Sequence, residues 1–362
     1  MHVDLDYFFA QCEERENPSL MNKPVVVCVY SGRGGDSGAV STANYVARKY
    51  GVKSGIPIAL AKRILKDRDA IFLPVRHEFY ETVSQKIMQV LRSYADKFEQ
   101  VGIDEAFLDV SKQVSGDFET ARELAKEIKK EILTKEKLTC SIGLGPNKLV
   151  AKMASKFQKP SGLTIVKPEE VEHFLSEMPV GELYGVGRKT EKVMQKLEIK
   201  TIGELARYDV EKLVEVFGKT MGTYFHNASL GIDESPVQEG GRAESISRII
   251  TLKQNTRDLN IILEEVYPLC DYVHSRVVEQ GLNFRSISVI AVMKDLSIHT
   301  RSKSLGSPTS EPEVIRKMMK ELFERLLEEE QELEVRRAGV KVSSFVEAKR
   351  GQTYLTDFAS KA

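Results

Sequence analysis

No run of about 18 apolar residues occurs, so no membrane-spanning helix is expected. The first residues enter an alternating pattern directly, without the charged and apolar regions of a secretion signal. Cysteine is scarce: Cys12, Cys28, Cys140 and Cys270 are scattered, mostly among apolar residues, and none has CxxC spacing. That leaves no cysteine-rich zinc site and fits buried reduced thiols in a cytoplasmic protein. Excess charge is missing too. The 53 basic and 53 acidic residues cancel, so net charge says nothing about nucleic acid and only its distribution can. The Gly-rich "SGRGGDSGA" (31–39) is not followed by GK[ST]. A Walker-type phosphate loop is therefore excluded, and a flexible connection is expected there.

What is present starts with acids in unusual places. The opening "MHVDLDYFFA" alternates Val3 and Leu5 with Asp4 and Asp6, which predicts a strand over residues 1–9 with both aspartates on one face. A second stretch, "VGIDEAFLDV" (101–110), sets Asp104 and Glu105 at the join of two short apolar runs that read as a hairpin. Solvated turn residues are the plain explanation. Strand-borne acids from two places that meet in space are the other. With little His or Cys nearby, such a cluster describes a hard-cation site for Mg²⁺ or Mn²⁺.

The 362 residues, 41% of them hydrophobic, are enough for about two to four domains. After the first strand come a helix, the buried strand "PVVVCVY" (24–30) and short helices within 40–72. A long amphipathic helix over 77–97, the acidic hairpin, a helix over 119–135, the strand "LTCSIGLG" and a lysine-bearing helix follow. Together these give β…α-β-β-α-β, the split-βαβ order, with residues 10–73 inserted after the first strand. "GPNKLVAKMASKFQKP" (145–160) has four lysines and no acid. Lys148, Lys152 and Lys156 are expected to line one helix face, as a solvated stripe or a grip on an anionic polymer.

Residues 168–230 read as short helices only. Gly185 and Gly187 open a helix and are followed by Arg188 and Lys189, and Gly218 repeats the pattern. Tight turns would explain the glycines. A helix-hairpin-helix, whose free N–H groups hold phosphate without reading sequence, explains the basic residues as well. Residues 231–244 read as a linker. A second β-α-β-β-α-β pattern follows: "ISRIITL" (with Arg248), a helix over 258–280, "ISVIAVM", "IHTRSKS", a helix over 311–331, and "RRAGVKVSSFV". Nine glutamates against four basic residues in 311–334 suggest a solvated helix face, and 335–350 returns to five basic residues against one acid. His299, Arg301 and Lys303 alternate and share a face, either merely wet or laid along a phosphate backbone. "GQTYLTDFASKA" at the end reads as a mobile tail.

"DLDYFFAQCE", "TANYVARKYGVKSGIP", "GIDEAFLDV", "GPNKLVAKMASKFQKPSG" and "GVGRKT" occur in the order and at about the separations of one family. Over essentially its whole length the chain resembles the Y-family (translesion) DNA polymerases of the archaeal polymerase IV type. The resemblance implies an α+β hand. Its parts are a split-βαβ palm (1–9 and 74–165), small fingers (10–73), a helical thumb (166–230), a linker (231–244), a little finger (245–346) and a tail (347–362). It also implies two Mg²⁺ ions, replaceable by Mn²⁺, held by catalytic Asp4, Asp104 and Glu105 with the Leu5 carbonyl. Tyr45, Arg48 and Lys159 match residues that hold the triphosphate. Phe9 matches the aromatic wall against a 2′-OH, and Ala39, Ser41 and Gly55 match small residues over the nascent base pair. Expected DNA contacts are Lys148, Lys152, Gly185, Gly187, Arg188, Lys189, Arg248, His299, Arg301 and Lys303. Primer-template DNA and deoxynucleoside triphosphates are the implied partners of a monomer. Gln352, Leu355 and Phe358, at i, i+3 and i+6, resemble a sliding-clamp motif with Ala359 where a second aromatic is usual. The chain departs from the family in having only three residues before Asp4 and in Gly102, where Ser is usual. Two rivals remain: a nucleotide cyclase, which has no use for the hairpin glycines, and a non-catalytic DNA-binding protein, which has no use for the three acids.

Overall fold

The computed structural model describes residues 1–240 and 244–348. They form an α+β protein of two compact units, one of residues 1–29, 40–56 and 60–240, the other of residues 30–39, 57–59 and 244–348.

The first strand is shorter than the pattern suggests. β1 (His2–Leu5) ends before Tyr7, whose φ of 35° turns the chain into α1 (Phe8–Glu16). From Ala10 to Glu14 the buried residues are consecutive, which an alternating strand cannot supply, so Phe9 is helical. β2 (Val25–Tyr30), β3 (Gly38–Ala43), α2 (Tyr45–Arg48), α3 (Ile58–Ile64) and β4 (Ile71–Pro74) follow, with a small sheet in the order β3-β2-β4. α4 (His77–Ser93) then leads into the hairpin β5 (Lys97–Gln100) and β6 (Glu105–Asp109). α5 (Phe118–Glu136) leads into β7 (Cys140–Leu144), and α6 (Lys148–Phe157) into β8 (Leu163–Ile165). These strands make a five-stranded sheet in the order β5-β6-β1-β7-β8, with β1 antiparallel to both neighbours.

The two faces of this sheet differ in chemistry. Val3, Leu5, Ala106, Leu108, Cys140 and Ile142 join one apolar cluster with Val83, Ile87 and Leu91 of α4 and Ala125, Ile128 and Ile132 of α5. The alternate residues, His2, Asp4, Glu105, Phe107, Ser141 and Gly143, share the opposite face by register, and there α6 crosses. Gly143 makes that crossing close, since a Cβ on it would lie 2.0 Å from the Ala151 carbonyl oxygen.

α7 (Val171–Ser176), α8 (Arg188–Lys196), α9 (Ile202–Ala206) and α10 (Val210–Ser229) enclose a second apolar cluster that includes Leu175, Met194, Ile202, Leu213 and Phe225, joined by Leu149, Val150 and Met153 of α6. Gly185 is at φ +89°, and a Cβ there would lie 2.8 Å from the Tyr224 ring, so the turn before α8 needs glycine. Gly218, at φ 78°, breaks α10 into two helices and makes the second hairpin that its sequence suggests.

Residues 231–240, expected as part of a free linker, are partly tied down. Asp233 Oδ2 accepts from the Leu149 N–H at 3.0 Å, Asn147 Nδ2 donates to the Gly231 oxygen at 2.7 Å, and the Gln238 N–H donates to Glu99 at 2.9 Å.

The second unit contains β9 (Ser245–Thr256), α11 (Leu259–Glu279), β10 (Leu282–Met293), β11 (Ile298–Thr309), α12 (Pro312–Glu329) and β12 (Val335–Glu347). The element order is the expected one, and the antiparallel sheet runs β11-β10-β12-β9, with β10 and β12 central. Ile287, Val289 and Ala291 of β10 and Ala338, Val340 and Val342 of β12 pack with both helices in one core.

Candidate active site

Asp4 on β1 is the Cα partner of Glu105 on β6, and the Leu5 N–H bonds the Asp104 oxygen at 2.8 Å. The pairing that builds the sheet thus brings the two acidic segments together. Asp4, Leu5, Tyr7, Phe8, Phe9, Ser41, Thr42, Arg48, Ser54, Asp104 and Lys159 line one cleft of ≈ 260 Å³.

Burial, then the neighbouring charges of Asp4 and Glu105, pushes the Asp104 carboxyl up to about 6. Glu105 is turned away from this cleft. The His2 ring, 3.3 Å from its Oε2, and the Lys152 ammonium, at 2.6 Å, hold it down to about 2 against the burial that would raise it. His2 Nε2 lies off-line for a hydrogen bond, so Lys152 makes the better-formed contact. The Lys159 ammonium sits on the Asp4 carboxylate. As placed, no three acidic, His or Cys side chains surround a single point among the described residues. The donor set nevertheless suits a hard divalent cation. It is all oxygen, its carboxylates repel one another, and a cationic ammonium already rests on Asp4.

Arg48 reaches the cleft from α2, with its Nε on the Ala43 oxygen at 2.8 Å and its guanidinium 4.9 Å from the Tyr45 ring centre. Tyr45 itself meets Tyr7 edge-on at 5.3 Å. Phe9 stacks on Tyr80 with centroids 4.3 Å apart and planes 12° from parallel. The Tyr80 hydroxyl donates to Glu13 at 2.5 Å, and Arg76 grips the same carboxylate. Of the three small residues singled out in the sequence, Ser41 lines the cleft. Ala39 bridges Pro57, and Gly55, at φ +87°, donates to the Val40 oxygen at 2.9 Å.

Several residues expected to contact DNA are placed otherwise than the sequence suggested. Lys148 and Lys152 form no solvent-facing stripe, because α6 turns both toward the sheet, where they pair with Glu99 and Glu105. Lys156 alone of the three is exposed. His299, Arg301 and Lys303 do share a face, but it is the helix-covered one. Their Cα partners are Ala291, Val289 and Ile287 of the core, and their side chains pair with Glu330, Glu329 and Glu321 of the segment 312–330. Arg248 lies on the same side, over the Tyr272 ring of α11 at 4.8 Å. The opposite face carries Ser286, Ser288, Thr300, Ser302 and Ser304, with Lys341 and Arg337 on β12. Arg188 and Lys189 are exposed at the start of α8, whose cap residue Gly187 provides no side-chain hydrogen bond. Gln352, Leu355 and Phe358 lie outside the described residues.

Sequence reasoning missed Thr42, on β3, and Ser54, in a turn, because neither residue type stands out in its local pattern. It also left His2 unassigned, although the period-two pattern puts it on the face of Asp4.

Residues 3–156 match the impB/mucB/samB family, residues 243–355 that family's C-terminal domain, and residues 181–233 the thumb domain of DNA polymerase-iota. A protein named DNA polymerase IV from Nitrosopumilus maritimus (strain SCM1) is 47% identical over 358 residues, which is 99% of this chain and 98% of that protein. Among solved structures, a Y-family DNA polymerase chimera, Dbh-Dpo4(243-245)-Dbh, has a TM-score of 0.90 at 39% identity, covering 96% of this chain and 98% of that one. An insertion ternary complex of Dbh DNA polymerase has a TM-score of 0.70 at 39% identity with the same coverage.

Proposed function

Because the chain belongs to the Y family of DNA polymerases, we propose that its cleft adds deoxynucleotides to a primer 3′-OH under template direction and tolerates damaged templates. It is a DNA-directed DNA polymerase, and primer-template DNA and deoxynucleoside triphosphates are its substrates. The observation that carries the detailed reading is the meeting of Asp4, Asp104, Arg48 and Lys159 in one cleft with Phe9 in its lining.

Phosphoryl transfer asks a protein for positioning and charge neutralisation more than covalent chemistry. Asp4 and Asp104, with Glu105 once its side chain leaves Lys152 and turns into the cleft, would hold two divalent cations, Mg²⁺ with Mn²⁺ as a substitute, together with the Leu5 carbonyl. Bound there, such ions would supply activation of the attacking hydroxyl and charge neutralisation for the leaving pyrophosphate. Arg48 offers a planar fork for phosphate oxygens, and Lys159 a point charge. The Lys159 ammonium rests on the Asp4 carboxylate. A triphosphate in the cleft gives that ammonium a more highly charged partner and frees Asp4 for a cation. Phe9, backed by Tyr80, closes the cleft where a 2′-OH would project. The small side chains of Ser41, Thr42 and Ser54 leave room for distorted base pairs.

DNA would be held by its backbone. Contributors are the Gly185–Gly187 turn with Arg188 and Lys189, and the Lys341–Arg337 side of the second sheet in place of Arg248, His299, Arg301 and Lys303. We divide the chain into palm, fingers, thumb, little finger and tail at the boundaries given above, and we place it in the cytoplasm as a monomer. Gln352, Leu355 and Phe358 would tether it to a sliding clamp, so a chain lacking 351–362 should extend primers normally alone and lose stimulation by the clamp.

Primer extension on a synthetic template tests the reading. Wild type should extend, and Asp104→Ala should bind DNA but add no nucleotide. Near-normal extension by Asp104→Ala at saturating Mg²⁺ would remove the site assignment.

A further inference from the structure

Two residues beyond Asp4 stands a second aspartate with no part in the chemistry above. Asp6 is fully buried, at 0% exposure. Its Oδ1 accepts from Ser141 Oγ at 2.7 Å, and its Oδ2 from Thr139 Oγ1 at 2.8 Å and from the backbone N–H of Ser161 at 2.8 Å. Its main chain is held as firmly. The Asp6 N–H donates to the Thr139 oxygen at 3.1 Å, and the Asp6 oxygen accepts from Gln11 Nε2 at 2.7 Å. A carboxylate engaged by three donors inside the protein is a fixed post, not a free ligand.

Ser161 is the informative partner. It lies two residues after Lys159 and has φ 53°, a left-handed conformation that L side chains avoid unless their surroundings impose it. The bond from its N–H to Asp6 is part of what imposes it. The adjoining Gly162 N–H donates to Ser141 Oγ at 3.2 Å, so one hydroxyl serves both Asp6 and the turn. The turn that leaves α6 and carries Lys159 is thereby attached to the end of the strand that carries Asp4.

We propose that Asp6 is a positioning residue, which through the Ser161 N–H fixes the turn that aims the Lys159 ammonium into the cleft. This rests on the triphosphate role of Lys159 given above. The geometry needs an acceptor at Asp6, and it does not need that acceptor to reach the substrate.

The test is single-nucleotide insertion by the full chain on a synthetic primer-template with Mg²⁺, with folding followed by circular dichroism. Asp6→Ala should raise the KM for nucleotide by about tenfold or more at unchanged DNA affinity, as expected for a displaced binding group. Asp6→Asn keeps an oxygen for the Ser161 N–H and can turn its amide to Ser141 Oγ, so it should recover most of that loss. In a Lys159→Ala background, Asp6→Ala should add no more than about a further twofold, because no ammonium remains to be aimed. An Asp6→Asn chain as impaired as Asp6→Ala would show that the charge matters and the geometry does not. A full penalty in the Lys159→Ala background would show that Asp6 acts on something else. Either result overturns the proposal. If Asp6→Ala does not fold, the pair Thr139→Val and Ser141→Ala takes its place in the cycle with the same expected coupling. A wild-type chain that adds no nucleotide overturns the polymerase reading and this one with it, whereas an additive cycle in an active chain overturns only this one.

Discussion

Asp104 carries an unfavourable charge in the cleft. Its carboxyl is pushed up to about 6 by burial and by Asp4 and Glu105, so without metal the folded chain takes up a proton at a higher pH than the unfolded chain does. The sign follows: in chelator, stability should rise as pH falls through about 6 toward the ordinary carboxylate range near 4. Asp104→Asn should abolish that rise and be more stable than wild type at pH 7 by on the order of 2 kcal/mol, while losing activity. Urea titration in chelator measures it, and equal stability of the two chains would show that neither burial nor the neighbouring acids disfavour the Asp104 charge. Phe9 depends on its backing in the same local way. Tyr80→Leu removes the flat ring beneath it and should cut deoxy- over ribonucleotide selectivity by about tenfold, read as the ratio of kcat/KM values. Tyr80→Phe keeps the ring and should keep the selectivity. It should cost about 1–2 kcal/mol of stability because Glu13 loses a donor. Matched selectivity in the Leu variant would place the sugar wall elsewhere.

Strands show where sequence reading stops. The alternation of His299, Arg301 and Lys303 correctly says that they share a face, but period two cannot say which of the two faces, and a shift of one residue exchanges them. The deciding information is cross-strand: Ile287, Val289 and Ala291 stand opposite and point into the core. The lysines of α6 fail for a similar reason. Their spacing gives a stripe, yet Glu99 and Glu105, distant in sequence, decide that Lys148 and Lys152 turn inward. By contrast, the split-βαβ order, both hairpin glycines and the convergence of the acidic segments were legible, because each follows from local pattern plus one pairing. The second sheet's strand order was not, since it depends on which strand β12 adjoins. The corrected face gives a sharp expectation. Lys341→Ala and Arg337→Ala should each lower the slope of log affinity against log salt by roughly 1, whereas Arg301→Ala and Lys303→Ala should leave the slope unchanged. Binding titrations over a salt series decide it, and the reverse pattern would restore the helix-side residues as the contacts.

At the scale of the whole molecule, the cleft is built within the first unit. A chain ending at residue 240 retains all the residues that line it and both apolar clusters around α4 to α6 and α7 to α10. Such a chain should still add single nucleotides at saturating DNA while binding DNA more weakly. A folded fragment with no chemistry at saturating DNA would show that the cleft needs the second unit. The segment 231–240 has a different consequence. A stretch rich in Gly, Ser, Pro and charge is where a protease would be expected to enter and where amide protons would be expected to trade with solvent within seconds. Here the Gln238 amide is bonded to Glu99, and Asp233 closes on the Leu149 amide in the first turn of α6. The Leu149 amide should therefore exchange with deuterium on the slow timescale of α6 itself, and the chain around Asp233 should resist nicking as long as α6 stays folded.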